Sequence, residues 1–164
     1  MTRINTEFEL TQTREKQMSN NHMNNIQINT KQTNTDQLIE AINTYFDALY
    51  YCDVELLDKV FHSASSLFDV DEGKLLVDPI ANFRQDVKNR PSPASRNQKR
   101  QQEILMIDYL STDCAMAKIR IQAHENIFVD HLSLVKEQGR WVIVSKVWHL
   151  ESVCESSDIQ TPNN

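Results

Sequence analysis

Six side chains in this sequence have the chemistry to act on a small molecule. Tyr45 offers a phenolic donor, Asp69 a carboxylate, His62 and His131 imidazoles, Lys146 an ammonium and Trp148 a broad aromatic face. Tyr45 lies on the apolar stripe Leu38, Ile42, Tyr45, Leu49, so its hydroxyl is either satisfied locally in a core or turned into a pocket. Asp69 stands just ahead of the turn Asp71-Glu72-Gly73. A solvated turn residue is the plain reading; a carboxylate walled by apolar groups would instead be a usable base. If Gln138-Gly139 is a two-residue hairpin loop, counting back places His131 opposite Lys146 and Val129 opposite Trp148. His131, Ser133, Val144, Lys146 and Trp148 then share one face, and Phe128, Asp130, Leu132, Ile143 and His149 the other. A bulge would exchange the faces of one strand. On this register His131 and Lys146 form either a cross-strand surface or dimer pair or a polar edge for a ligand, and Trp148 lines a pocket. Asp130 and His149 read as a structural ion pair. His62, directly after a helical pattern, reads as a C-terminal helix cap before it reads as a ligand contact.

Other chemistries are excluded or unsupported. His124 and His131 are placed on opposite sides of one strand or across a bend and cannot chelate a single metal. Cys52, Cys114 and Cys154 match neither a metal spacing nor a disulfide framework, which suits a reducing cytoplasm. No metal and no cofactor are expected. The 17 Lys+Arg against 23 Asp+Glu leave a net charge of −6, which argues against a global grip on nucleic acid or an anionic membrane. One basic stretch, Arg84, Lys88, Arg90, Arg96, Lys99 and Arg100, carries no interleaved aromatics and reads as a solvated helix face and loop that could cover a pocket mouth. No run approaches the roughly 18–20 apolar residues of a membrane span. The opening residues carry no apolar stretch, so no signal peptide is expected.

The elements that must position these residues follow from periodicity. Residues 1–35 hold 18 Thr, Asn and Gln and keep no sustained apolar period, so a disordered or loosely docked polar tail is expected. Asn34, Thr35 and Asp36 are candidate N-caps for a first helix through Leu49. Asp53 caps a second, Val54 to Phe61. Short strands at 65–70 and 74–77 flank the Gly73 turn, and Pro79 opens a third helix, Ile80 to Asn89. Four strands follow: Glu103–Leu110, Cys114–His124, Asn126–Lys136 and Arg140–Leu150. The order α-α-β-β-α-β-β-β-β predicts an α+β fold, with a domain over 36–152 and a flexible tail over 153–164.

From Asp36 to Glu151, about 116 of the 164 residues, the chain resembles the nuclear-transport-factor-2-like (SnoaL-like) superfamily and, within it, the putative lumazine-binding group. The resemblance rests on Tyr45-Phe46, Val60-Phe61-His62, Phe68-Asp69-Val70 with Gly73-Lys74, and Pro91-Ser92-Pro93. Its most specific part is the hairpin Asp130-His131-Leu132-Ser133-Leu134-Val135-Lys136 and Gly139-Arg140-Trp141-Val142-Ile143-Val144-Ser145-Lys146-Val147-Trp148-His149. It implies a cone-shaped, cystatin-like roll: three helices packed on a curved antiparallel sheet, a pocket at the open end, and often a homodimer through the sheet. A more distant resemblance to ketosteroid isomerases puts Tyr45 at an oxyanion-binding tyrosine, Asp69 at the general base, His131 at a second oxyanion donor and Trp148 at a pocket aromatic. That arrangement, a base beside a two-donor oxyanion hole, would suit proton abstraction next to a carbonyl. It departs from the pattern in having His131 for a carboxylic acid and Lys146 beside it, a cation suited to an anionic ligand group.

Fold does not fix function. The first reading is therefore a cytoplasmic protein binding a small aromatic or heteroaromatic molecule, one that can be anionic, through Lys146, Trp148, His62, Tyr45 and His131. The second is an isomerase, cyclase or dehydratase using Asp69, Tyr45 and His131. The third is an adaptor whose sheet binds a protein partner.

Overall fold

A computed structural model of the chain describes residues 3–154. The chain divides between Leu38 and Ile39 into two compact units. Helix α1 runs Arg3–Tyr51, so the first helix does not begin at Asn34–Asp36 and the segment ahead of it is helical rather than irregular. The reason is local. Asn, Thr and Asp are only mildly unfavourable inside a helix, and no Gly or Pro stands before Tyr51 to stop one. The Thr30 and Thr35 hydroxyls bond back to the Ile26 and Lys31 carbonyls at 2.9 and 3.2 Å, and Gln32 donates to Asp36 at 3.0 Å. Side chains 12–28 and 30–33 are nevertheless exposed, as expected of a segment with no sustained apolar stripe. Of the expected C-terminal tail, Val153 instead ends the last strand and Cys154 follows it; the rest lies outside the described residues.

The second unit holds the remainder of α1, α2 (Val54–Val60), β1 (Phe61–Asp71), β2 (Lys74–Pro79), α3 (Ile80–Asn89), a 3-10 turn at Ala94–Arg96, β3 (Gln102–Ser111), β4 (Cys114–Ala123), β5 (Asn126–Glu137) and β6 (Arg140–Val153). The class is α+β and the element order is the expected one. Asp53 caps α2 by accepting from the Glu55 and Leu56 amides at 2.9 and 3.2 Å. Two tight turns set the hairpins. Glu72-Gly73 and Gln138-Gly139 both take positive φ, at 47°, 75°, 49° and 80°, and each leaves a two-residue loop between paired strands.

The six strands form one curved sheet in the order β2-β1-β6-β5-β4-β3. Its pairs are antiparallel with one exception: β1 and β6 run parallel, so the sheet is mixed rather than wholly antiparallel. The intervening chain supplies the long crossover that a parallel pair requires. The core lies between the helices and one face of the sheet. Ile42, Phe46 and Leu49 of α1 and Val87 of α3 are buried with Ile119, Leu132, Leu134 and Ile143 of the sheet. Strand β4 shows the pattern plainly: Ala115, Ala117, Ile119, Ile121 and Ala123 are buried and their neighbours are not.

Candidate functional site

The decisive local feature is a bulge in β6. From the turn outward the pairs run Glu137 with Arg140 through Leu134 with Ile143, which is the register counted from the sequence. Val144 is then left unpaired, and the ladder resumes with Ser133 opposite Ser145, His131 opposite Val147 and Asp130 opposite Trp148. One extra residue on one strand exchanges that strand's faces beyond it. Lys146 and Trp148 therefore share the inner face with Asp130, and His131 stands exposed on the other side.

Asp130 is completely buried and Lys146 is 7% exposed. The Tyr45 hydroxyl donates to Asp130 Oδ2 at 2.8 Å, and Lys146 Nζ donates to that hydroxyl at 3.0 Å. Lys146 Nζ also lies 3.2 Å from Asp130 Oδ2. Aromatic faces complete the ammonium's surroundings, with the Phe83 ring centre at 4.8 Å and that of Tyr45 at 5.6 Å. Burial first, and then the Asp130 charge and its hydrogen bond, hold the Tyr45 phenol well above its ordinary pKa of 10.0. The phenol thus stays protonated and keeps donating.

Above this network is a cavity of about 230 Å³. Leu49, Leu67, Phe83, Ile121, Phe128 and Trp148 form its apolar walls. Phe128 and Trp148 stand edge to face with ring centres 5.7 Å apart. The polar groups are Asp130 and Lys146, with Arg90, Asp78 and Asp86. Two of these lining residues each hold a buried atom with no hydrogen-bond partner among the described residues: the acceptor Asp130 Oδ1 and the donor Arg90 Nε. An unmet buried acceptor or donor costs about 1–3 kcal/mol.

Residues 33–149 match the family described as putative lumazine-binding. The chain belongs to that family. Its fold is the NTF2-like one. An NTF2-like protein of unknown function from Shewanella baltica superposes with a TM-score of 0.63 at 26% identity, covering 72% of this chain and 94% of that one. One from Silicibacter pomeroyi, also of unknown function, gives 0.64 at 24% identity over 71% and 95%. The association domain of C. elegans CaMKII shares the fold alone, with a TM-score of 0.54 at 17% identity over 72% and 96%. No curated protein matches the chain.

In this family member the expected site residues divide into two groups. Tyr45, Lys146 and Trp148 meet at one place, although Tyr45 sits behind Asp130 and Lys146 instead of on the cavity wall. The others are elsewhere. His131 is turned out by the Val144 bulge, which removes it as a partner of Lys146. Asp69, on β1 two residues beyond the cavity residue Leu67, pairs with Leu76 of β2 and is not part of the lining. His62 lies in β1 instead of capping α2; its Nδ1 accepts from the Ala64 amide at 3.0 Å and its Nε2 lies 3.7 Å from Glu137. It lines a separate surface groove with Arg84 and Arg140.

Asp130 and Arg90 are the residues that sequence pattern undervalues. An unbulged register puts Asp130 on the face opposite Lys146, and spacing alone puts Arg90 in a solvated basic stretch. Elsewhere in that stretch Arg84 pairs with Asp58 at 2.7 Å, and Arg100 pairs with Asp47 and covers the Tyr50 ring at 4.7 Å. Among the described residues no cluster of three His, Cys, Asp or Glu could hold a metal ion, and no helix is long and apolar enough to cross a membrane.

Proposed function

We propose that this domain binds a small, planar heteroaromatic molecule whose edge carries an N–H donor and a carbonyl acceptor. The donor would meet Asp130 Oδ1, and the acceptor would face Arg90 and Lys146. A pteridinedione of the lumazine type has both groups on one ring edge, and the family's description points to the same chemistry. The observation that carries this reading is the complementary pair of orphaned buried atoms, Asp130 Oδ1 and Arg90 Nε, in residues that line one aromatic-walled cavity. A volume of about 230 Å³ is below the range of drug-sized pockets, which favours a compact bicyclic ring over a steroid or a dinucleotide. Lys146 already has a carboxylate partner, so an anionic ligand group is not required at that end. Arg90 is the cation left to receive one, because no ion pair to it occurs among the described residues.

The test is a thermal-melting titration of the full chain with lumazine, a pterin, a flavin, an enone and benzoate. A melting temperature that rises with the lumazine or the pterin, and a rise reduced in Arg90→Met, is the expected result. The same rise in Arg90→Met as in the parent removes Arg90 from the site, and no rise with any of the five sinks the reading.

A further inference from the structure

A second concave site lies apart from the cavity. It is a groove of about 440 Å³, lined from α2, the start of β1, the start of α3 and the β5–β6 hairpin, and it shares no lining residue with the cavity. Four of its side chains can carry positive charge: Lys59, His62, Arg84 and Arg140. The three fixed cations outnumber the two acids, Asp58 and Glu137, on a chain whose net charge is −6. Such a local reversal of sign concentrates anions at one place.

The donors in the groove are only partly engaged. Arg84 Nε reaches both oxygens of Asp58, at 2.7 and 3.0 Å. This anchors the guanidinium and leaves its two terminal nitrogens without a partner among the described residues. His62 Nδ1 accepts from the Ala64 amide at 3.0 Å, so the proton of the neutral ring sits on Nε2. That nitrogen is 3.7 Å from Glu137 Oε1, too far for a hydrogen bond. The exposed Arg140 guanidinium takes part in no ion pair among the described residues.

We propose that this groove binds a phosphoryl group, with Arg84, Arg140 and His62 as its donors. A planar carboxylate is satisfied by one guanidinium fork, whereas a phosphoryl group presents three acceptor oxygens in different directions. The donors match the second case, because they come from three separate elements, α3, β6 and β1. Lys59 of α2 adds a further cation, and an excess of positive charge suits a dianion better than a monoanion. The buried Phe61 and Val142 supply apolar lining for the body of a small organic phosphate. Nothing here depends on what the cavity binds.

Isothermal titration calorimetry of the full chain at low salt tests this, with phenyl phosphate, inorganic phosphate and benzoate as probes. The expected result is saturable binding of phenyl phosphate that Arg140→Gln weakens by about tenfold or more. Arg140 is exposed, so this variant should keep the parent's melting temperature. His62→Phe, which keeps a ring and removes the Nε2 donor, should weaken binding by about fivefold. Lys74→Gln, the same loss of charge on the β1–β2 turn, should leave the affinity within about twofold of the parent's. Phenyl phosphate binding more tightly than inorganic phosphate identifies an organic phosphate, and equal affinity identifies the free ion; both support the site. The proposal is overturned if neither phosphate binds, if benzoate binds as tightly as phenyl phosphate, or if Arg140→Gln binds like the parent. Binding that survives Arg140→Gln and falls in Arg90→Met also overturns it, because the anion is then in the cavity.

Discussion

The Tyr45 hydroxyl stands 2.8 Å from Asp130 Oδ2 and 3.0 Å from Lys146 Nζ, tying helix α1 to strands β5 and β6 through one oxygen atom. It is a donor to the carboxylate and an acceptor from the ammonium. Removing the hydroxyl with Tyr45→Phe leaves the ion pair in place and should cost about 1–3 kcal/mol of unfolding free energy. Removing one charge costs more: Lys146→Met strands a buried carboxylate and should cost about 3–5 kcal/mol, whereas Asp130→Leu combined with Lys146→Met should recover much of that loss. Urea denaturation of the parent and these variants distinguishes the cases. A Lys146→Met variant as stable as the parent would show that the pair is solvated and not buried.

The same contact has a pH signature on the alkaline side. The folded state holds the Tyr45 pKa above its ordinary 10.0, chiefly by burial and then through Asp130. The unfolded chain therefore releases that proton first, and the stabilising contribution is complete below about pH 10 and lost as pH rises beyond it. Phenolate absorbance should show one of the four tyrosines ionising only when the protein unfolds, and Tyr45→Phe should remove that late phase. A late phase that survives Tyr45→Phe would assign it to another tyrosine.

Much of this architecture is legible in the sequence. Proline and glycine punctuation, cap chemistry at Asp53 and period-2 burial in β4 each report on neighbours a few residues away, and those elements fall within a few residues of their expected bounds. What sequence pattern misses is long-range or cumulative. The Val144 bulge is one inserted residue whose effect reaches only the far end of β6, and the run Trp141-Val142-Ile143, buried at every position, is its one trace in the sequence. Because of it Asp130 replaces His131 beside Lys146. Arg90 looks like one cation among several because no pattern along a chain shows that a guanidinium nitrogen ends up buried without a partner. The helical backbone before Asn34 escapes for the opposite reason: weak local preferences there resemble a stop, and nothing in the sequence forbids continuation.

Filling the cavity tests whether its volume has a use. Ala123 is 8% exposed on the lining, and Ala123→Leu adds apolar bulk where there is space for it. The folded state should keep its stability or gain up to about 1 kcal/mol, because filling a void is commonly stabilising. Any ligand-induced rise in melting temperature should disappear. If binding persists undiminished in a stable Ala123→Leu protein, the ligand occupies another place.

Deleting residues 1–33 tests where the independent domain begins. The second compact unit starts at Ile39, and the family match starts at residue 33. Ahead of that point the side chains of residues 12–28 and 30–33 are exposed. Truncation tolerance follows burial and hydrogen bonding. Ile42, Tyr45, Phe46 and Leu49 remain with several helical turns on which to dock. The truncated protein should retain the parent's thermal transition, with its stability changed by less than about 1 kcal/mol. Far-ultraviolet circular dichroism should lose helical signal in proportion to the residues removed. A truncated chain that loses its cooperative transition would mean that the polar helix is part of the folding unit and that the boundary lies upstream.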